Sequence, residues 1–258
     1  MNPTSQDAKS RASIHTFVRN RYFYGKLLDV FHLELEQNYL NGKRWMLNRM
    51  VTGHGVLCGL DVRPAPQGRA VIVTPGAAID RCGKEIVVPR ASDPQTIPPK
   101  PAADALKAAM TDCEKQDYVT LSICFKQCES DPVPVLVDDC GLTPDCASSS
   151  IQERYTFEVV SGKAPPIELT SSLPDFVLGG RPNYSALVEY VTRGCPEIPA
   201  DCCIPLANIC LPANGDPVQA SDIDIGVRPI VYSNDMLFDM MLALAGDLPT
   251  RVRGGGKQ

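Results

Sequence analysis

The chain has 258 residues, 44% hydrophobic and 21% charged, which supplies enough apolar material for a core and too little charge for a disordered chain. Its 23 prolines and 19 glycines imply many turns and short elements, against a helical bundle and in favour of strands. The net charge of −5 is uneven: the first fifty residues hold eight Lys/Arg against four Asp/Glu, so a stretch of +4 precedes a remainder of −9, and a basic stretch of this kind, with no nucleic-acid motif beside it, suits an acidic neighbour or a second copy of the chain rather than nucleic acid.

Met1–Ser13 is polar and lacks the apolar region of a secretory signal. No apolar run approaches the roughly 18 residues of a membrane span. The expectation is a chain made and folded in the cytoplasm.

Residues 1–28 read as a flexible basic and aromatic arm. Phe17, Arg19, Arg21, Tyr22, Phe23 and Tyr24 are candidate partner-binding anchors; the other reading is an extended lead-in that packs on its own domain. Asp29 is placed to cap a helix, and Leu35, Tyr39, Met46 and Met50 recur at helical spacing. Gly42 costs that helix about 1 kcal/mol relative to alanine, so it needs tertiary support, and Gly53 ends it. His54, between two glycines, reads as a turn residue rather than a base or a metal ligand. Gly55–Pro64, Ala70–Pro75, Gly76–Asp80 and Glu85–Val88 predict short antiparallel strands. Residues 29–95 are thus a helix plus a small antiparallel β-unit.

Residues 96–246 read as a second β-rich unit, reached through the proline-rich link Arg90–Lys100. A helix is expected over Ala102–Glu114. Strands are expected at Asp117–Gln127, Ile151–Val160 and Ile204–Leu211, with Pro132–Val137 as an edge-like extended segment. A short helix is expected near Tyr184–Val191, and a short extended stretch at Asp222–Val231. The last helix, Asp235–Ala245, is capped by Ser233 or Asn234 and is apolar nearly all round, with Met236, Phe238 and Met241 as candidate contact residues. Such a helix is covered on more than one side, by its own domain or by a neighbouring subunit. Residues 247–258 read as a flexible tail. The fold class expected is α+β, dominated by strands.

Little in the sequence carries chemistry. There is no glycine-rich phosphate loop, no His-Glu-x-x-His and no Gly-x-Ser-x-Gly. Only His15, His32 and His54 are available as histidine bases, and no carboxylate pair stands out, so no enzyme activity is expected. Eleven cysteines are an odd number. Cys124, Cys128, Cys140 and Cys146 form one cluster and Cys195, Cys202, Cys203 and Cys210 another; only Cys124-x3-Cys128 has the spacing of a zinc knuckle. The readings are small buried hydrophobes, a structural zinc on the first cluster, or disulfides formed in oxidising surroundings. Adjacent Cys202 and Cys203 on a strand face opposite ways and so do not share one partner. No cofactor is expected, and a structural zinc is the less favoured of these readings.

Several stretches carry a resemblance. They are Arg-Tyr-Phe-x-Gly-Lys-Leu-Leu (Arg21–Leu28), Gly-x-Gly-Val-x-Cys-Gly-Leu-x-Val (Gly53–Val62), and Val-Thr-Pro-Gly-x-Ala-Ile-Asp-x-x-Gly-x-Glu-Ile-Val-Val (Val73–Val88). Later marks are Pro132-Val-Pro, the Cys140/Cys146 loop, Glu153-x-Tyr155, Cys203-Ile-Pro-Leu-Ala207 and Val227-Arg-Pro. Together they resemble a family of structural proteins of phage-tail-like contractile injection systems. The resemblance implies a non-enzymatic component near the baseplate, spike or tube end. Its partners would be other particle subunits, copies of itself included, and the particle would be cytoplasmic, membrane-docked or released. The cysteines do not match a complete tetrad, so no metal site carries over. The alternatives are a β-scaffold module binding glycan or a cell surface, with Tyr184 and Tyr190 near a candidate loop, and a thiol or zinc enzyme.

Overall fold

The computed structural model describes residues 16–99, 118–134, 146–167, 177–178, 181–212 and 216–246. The helix expected at Ala102–Glu114, Cys140, the first fifteen residues and the 247–258 tail lie outside the described residues. The fold is α+β and strand-dominated, as expected.

Helix α1 (Val30–Leu47) begins where Asp29 accepts the amide of His32 and closes in a π-turn over Asn48–Thr52, which Gly53 ends. The strands that follow are β1 (Gly55–Gly59), β2 (Val62–Pro64), β3 (Ala70–Val73), β4 (Gly76–Ile79), β5 (Glu85–Val88) and β6 (Gln95–Thr96). They do not form one meander. β1, β4 and β5 make one antiparallel sheet, and β2, β3 and β6 make another. In effect residues 55–64 and 70–79 are one long hairpin bent in the middle, its halves belonging to different sheets.

The bend is built at Gly59–Leu60. Both residues have left-handed backbone angles, φ 64° and 55°. Leu60 is fully buried there, its amide donating to the Pro75 carbonyl at 3.2 Å, and the Thr74 amide reaches the Asp61 carbonyl at 2.9 Å. A Cβ on Gly59 would lie 2.0 Å from the Pro75 oxygen, so only glycine admits this crossing.

A four-stranded antiparallel sheet runs β12–β11–β7–β8, from β7 (Tyr118–Pro134), β8 (Cys146–Ser161), β11 (Ile204–Cys210) and β12 (Ile223–Asp224). Between β8 and β11 lie a small hairpin, β9 (Val177–Leu178) with β10 (Arg181–Pro182), and helix α2 (Tyr184–Val191). One continuous core joins the regions: Leu60, Val71, Val73, Ile86 and Ile97 pack in the same cluster as Leu121, Ile123, Ile204, Leu206 and Ile209. The proline-rich link, expected to separate two units, itself contributes β6 and the fully buried Ile97. On the opposite face Thr120 and Asn208 are buried but satisfied. The Thr120 hydroxyl donates to Asn208 Oδ1 (2.8 Å), and Asn208 Nδ2 to the Ala164 carbonyl (2.9 Å).

Beyond Cys124, β7 and β8 leave β11 behind and continue as a two-stranded ribbon, Lys126 pairing with Arg154 and Pro134 with Cys146. Asp131 (φ 56°) interrupts the ladder, and its backbone and side chain accept hydroxyls from Ser149 and Ser150. The described residues end in helix α3 (Asn234–Gly246), where the Ser233 hydroxyl accepts the Met236 amide at 3.1 Å. Among the described residues no helix is long and apolar enough to cross a membrane.

The bend makes a direct prediction. Gly59→Ala should cost about 3 kcal/mol or more in urea unfolding, combining backbone strain with a backbone clash. Gly68→Ala, at φ 74° with open space around it, should cost only about 1–2 kcal/mol. Equal losses at the two sites would contradict the close crossing.

Candidate assembly surfaces

The N-terminal arm folds back along α1. The ring of Phe17 stands edge-on to Tyr39 with centroids 6.4 Å apart, and Lys43 Nζ lies 5.9 Å and 5.2 Å from the two ring centres. A Cβ at position 42 would meet Phe17 Cε1 at 2.8 Å, so the mid-helix glycine is the seat of this ring. Three residues on, the buried Asn20 donates to the His32 carbonyl and to Glu36, and Tyr22 donates to Glu36 at 3.1 Å. Phe17 therefore packs on its own chain. Arg19, Arg21, Tyr22, Phe23 and Tyr24 remain exposed, Tyr24 completely.

The other end of α1 is fixed to the β4–β5 turn. Arg44 pairs with Glu85 at 3.0 Å, and Asn48 Nδ2 donates to both the Gly83 carbonyl and Glu85 at 2.8 Å. Lys84 Nζ lies 4.9 Å from the Trp45 ring centre and 4.7 Å from that of Phe125 on β7. Within the turn, Asp80 Oδ1 accepts the amides of Cys82 (2.9 Å) and Lys84 (2.7 Å). Burial pushes the Asp80 carboxyl above its ordinary range, while those amides and the Lys84 charge pull the other way.

Held in this way, α1 has no buried residue along its whole length. Val30, Phe31, Leu33, Leu40 and Leu47 face solvent. Helix α3 is similar: every described side chain from Asn234 to Ala243 is exposed, with Met236 at 38%, Phe238 at 57% and Met241 at 60%. Of the two covers expected for this apolar helix, the described residues of its own domain do not provide one.

Two disulfides meet at the adjacent cysteines. Cys202 bonds Cys82 in the β4–β5 turn, and Cys203 bonds Cys124 on β7. Both cysteines precede β11 rather than lying on it, and they have separate partners, as expected. The alternative reading of Cys124 and Cys128 as a zinc knuckle is not supported, because both sit on one extended strand about 13 Å apart and Cys124 is bonded to Cys203. Cys146 lies at the far end of the ribbon, opposite Pro134, and Cys140 is outside the described residues. Spacing alone could not reveal the actual pairing, since partners 120 and 79 residues apart leave no local pattern.

Clefts also open among the described residues. A cavity of about 570 Å³ lies where Thr52–His54 meet Ile167 and the segment Gly226–Tyr232. That segment runs beside β1, the Val56 amide donating to the Pro229 carbonyl and the Val231 amide to the Val56 carbonyl. Burial, and then the charge of Arg81, hold His54 below the usual histidine range. No carboxylate lines this cavity among the described residues, so nothing there orients the imidazole as a base. A broader cleft of about 790 Å³ separates Val87–Arg90 from Gln152–Tyr155 on the ribbon. Tyr184 and Tyr190 lie on α2, where the Arg193 guanidinium sits 5.1 Å from the Tyr190 ring centre.

Comparison with known proteins finds no matching family model and no curated relative.

Asp80 gives the turn a pH signature. With its folded carboxyl titrating above the ordinary value of 3.8, the native state binds the proton more tightly than the unfolded chain. Its contribution is therefore full below that ordinary value and is lost as pH rises through the raised one. Asp80→Asn keeps the accepting oxygen without the charge, and its urea-unfolding stability should fall less than wild type over that window. Parallel profiles for the two proteins would contradict the assignment.

Proposed function

We propose that this chain is a non-enzymatic structural subunit whose arm, α1 and α3 dock onto other chains of a contractile, phage-tail-like injection particle, at its baseplate, spike or tube end. The observation that carries the reading is that α1 and α3 leave their large apolar side chains open to water on a well-packed hub. Burying a single Leu, Met or Phe side chain fully contributes roughly 1.5–3 kcal/mol, and contiguous exposed apolar faces mark sites of association. Six such side chains lie in sequence on α3 alone, from Met236 to Leu242 with Asp239 between them.

The placement in an injection particle is supported by the sequence resemblance. Of its marks, Gly53–Val62 runs through β1 into β2, Val73–Val88 runs from the end of β3 through β4 and β5, and Cys203–Ala207 leads into β11 from the cysteine bonded to Cys124.

The test is gradient sedimentation of native lysate, detecting this chain. Wild type should travel with sheath-and-tube particles, and a Phe238→Asp/Met241→Asp variant should stay near the top as a lone chain. Wild type at the monomer position, or the double variant unchanged in the particle fraction, would contradict the proposal.

A further inference from the structure

Cys124, Cys203 and Glu158 meet at one corner of the four-stranded sheet, and the ladder shows why. Ile204 pairs with Ile123, which brings Cys203, the residue before β11, alongside Cys124. On the other side Glu158 opposes Ser122, diagonally next to Cys124 and on the same face. The two sulfurs and a carboxylate oxygen all lie within 4.8 Å of one another. Cys124 is buried, Cys203 half-buried and Glu158 exposed, so the corner opens to solvent on the carboxylate side.

We propose that this corner is a two-state site: a disulfide in oxidising surroundings, and a binding site for one soft divalent cation, zinc above all, in reducing ones. In the oxidised state the sulfurs are joined. A dithiol or phosphine reductant delivers two electrons and, with two protons from solvent, breaks the S–S bond to give two thiols. The cation then displaces both thiol protons and binds two thiolates and the Glu158 carboxylate. Zinc takes thiolate at about 2.3 Å and carboxylate at about 2.0–2.2 Å in a tetrahedron, so the sulfurs need part only to about 3.8 Å. A fourth position is left to water. The covalent tie between the β11 end and β7 is thereby replaced by a metal tie that also takes in β8.

This donor set differs from the Cys124, Cys128, Cys140 and Cys146 cluster that spacing suggests. It draws one ligand from each of three neighbouring chain segments, and it does not depend on the assembly role proposed above. It also reconciles a cysteine-rich chain expected in the cytoplasm with the Cys124–Cys203 disulfide, because the corner is tied in either redox condition.

The experiment is titration of cobalt(II) into metal-free, full-length protein, before and after reduction with a phosphine, reading the thiolate-to-cobalt charge-transfer absorption. Reduced wild type should bind one equivalent through this corner, and zinc should displace it. Cys203→Ser should lose the band, and Cys128→Ser and Cys146→Ser should keep it. Glu158→Gln, on an exposed side chain that leaves the fold untouched, should weaken binding about tenfold or more, since even outer-shell partners of a metal contribute about 10–100-fold. Circular dichroism establishes that each serine variant is folded. Absence of the band in reduced wild type, its survival in folded Cys203→Ser, or unchanged affinity in Glu158→Gln would overturn the site.

Discussion

The architecture depends on one short turn, Asp80 to Glu85, which is held from three directions. Helix α1 grips it through Arg44 and Asn48, the disulfide from Cys82 ties it to Cys202, and Lys84 spans from Trp45 to Phe125. These contacts differ in weight. The Arg44–Glu85 pair is substantially exposed and contributes roughly 1 kcal/mol or less. Each cation–π contact adds about 0.5–1 kcal/mol at such a site. A disulfide typically contributes about 2–4 kcal/mol. The covalent tie therefore dominates, and the polar contacts set the direction in which α1 leaves the hub.

Around that turn the molecule divides by chemistry. The hub has an apolar interior: the bent hairpin and the four-stranded sheet share one core, and the buried Thr120 and Asn208 are hydrogen-bonded. The parts that leave it are α1 with its folded-back arm, the ribbon beyond Cys124, and α3. Each has regular secondary structure but none has a core of its own. The ribbon is polar and holds itself through its ladder and serine hydroxyls, whereas the two helices present apolar faces. That contrast directs the assembly reading to α1 and α3.

Much of this was legible in the sequence wherever a local rule operates. Asp29 and Ser233 cap helices, Gly53 ends one, and alternation marks the core part of β7. The sheet switch at Leu60 was not legible, because Val56, Cys58, Leu60 and Val62 keep their alternation straight through the bend. The ribbon was underestimated for a related reason. Paired strands without a core need no apolar pattern, so Cys146–Ser150 read as loop. Gly42 read as a weakness of the helix, when it is the space that Phe17 occupies. The disulfide partners lie too far apart in the chain for any spacing rule, although the opposite facing of Cys202 and Cys203 already implied separate ones.

The most direct measurement is amide hydrogen exchange on the purified chain and on the particle-associated fraction. If other chains cover the open helices, the amides of Val30–Leu47 and Asn234–Gly246 exchange quickly in isolation and slowly in the particle, while those of β7 and β11 in the hub change little. Equal exchange of the two helices in both states would show that nothing covers them and would contradict the assembly role.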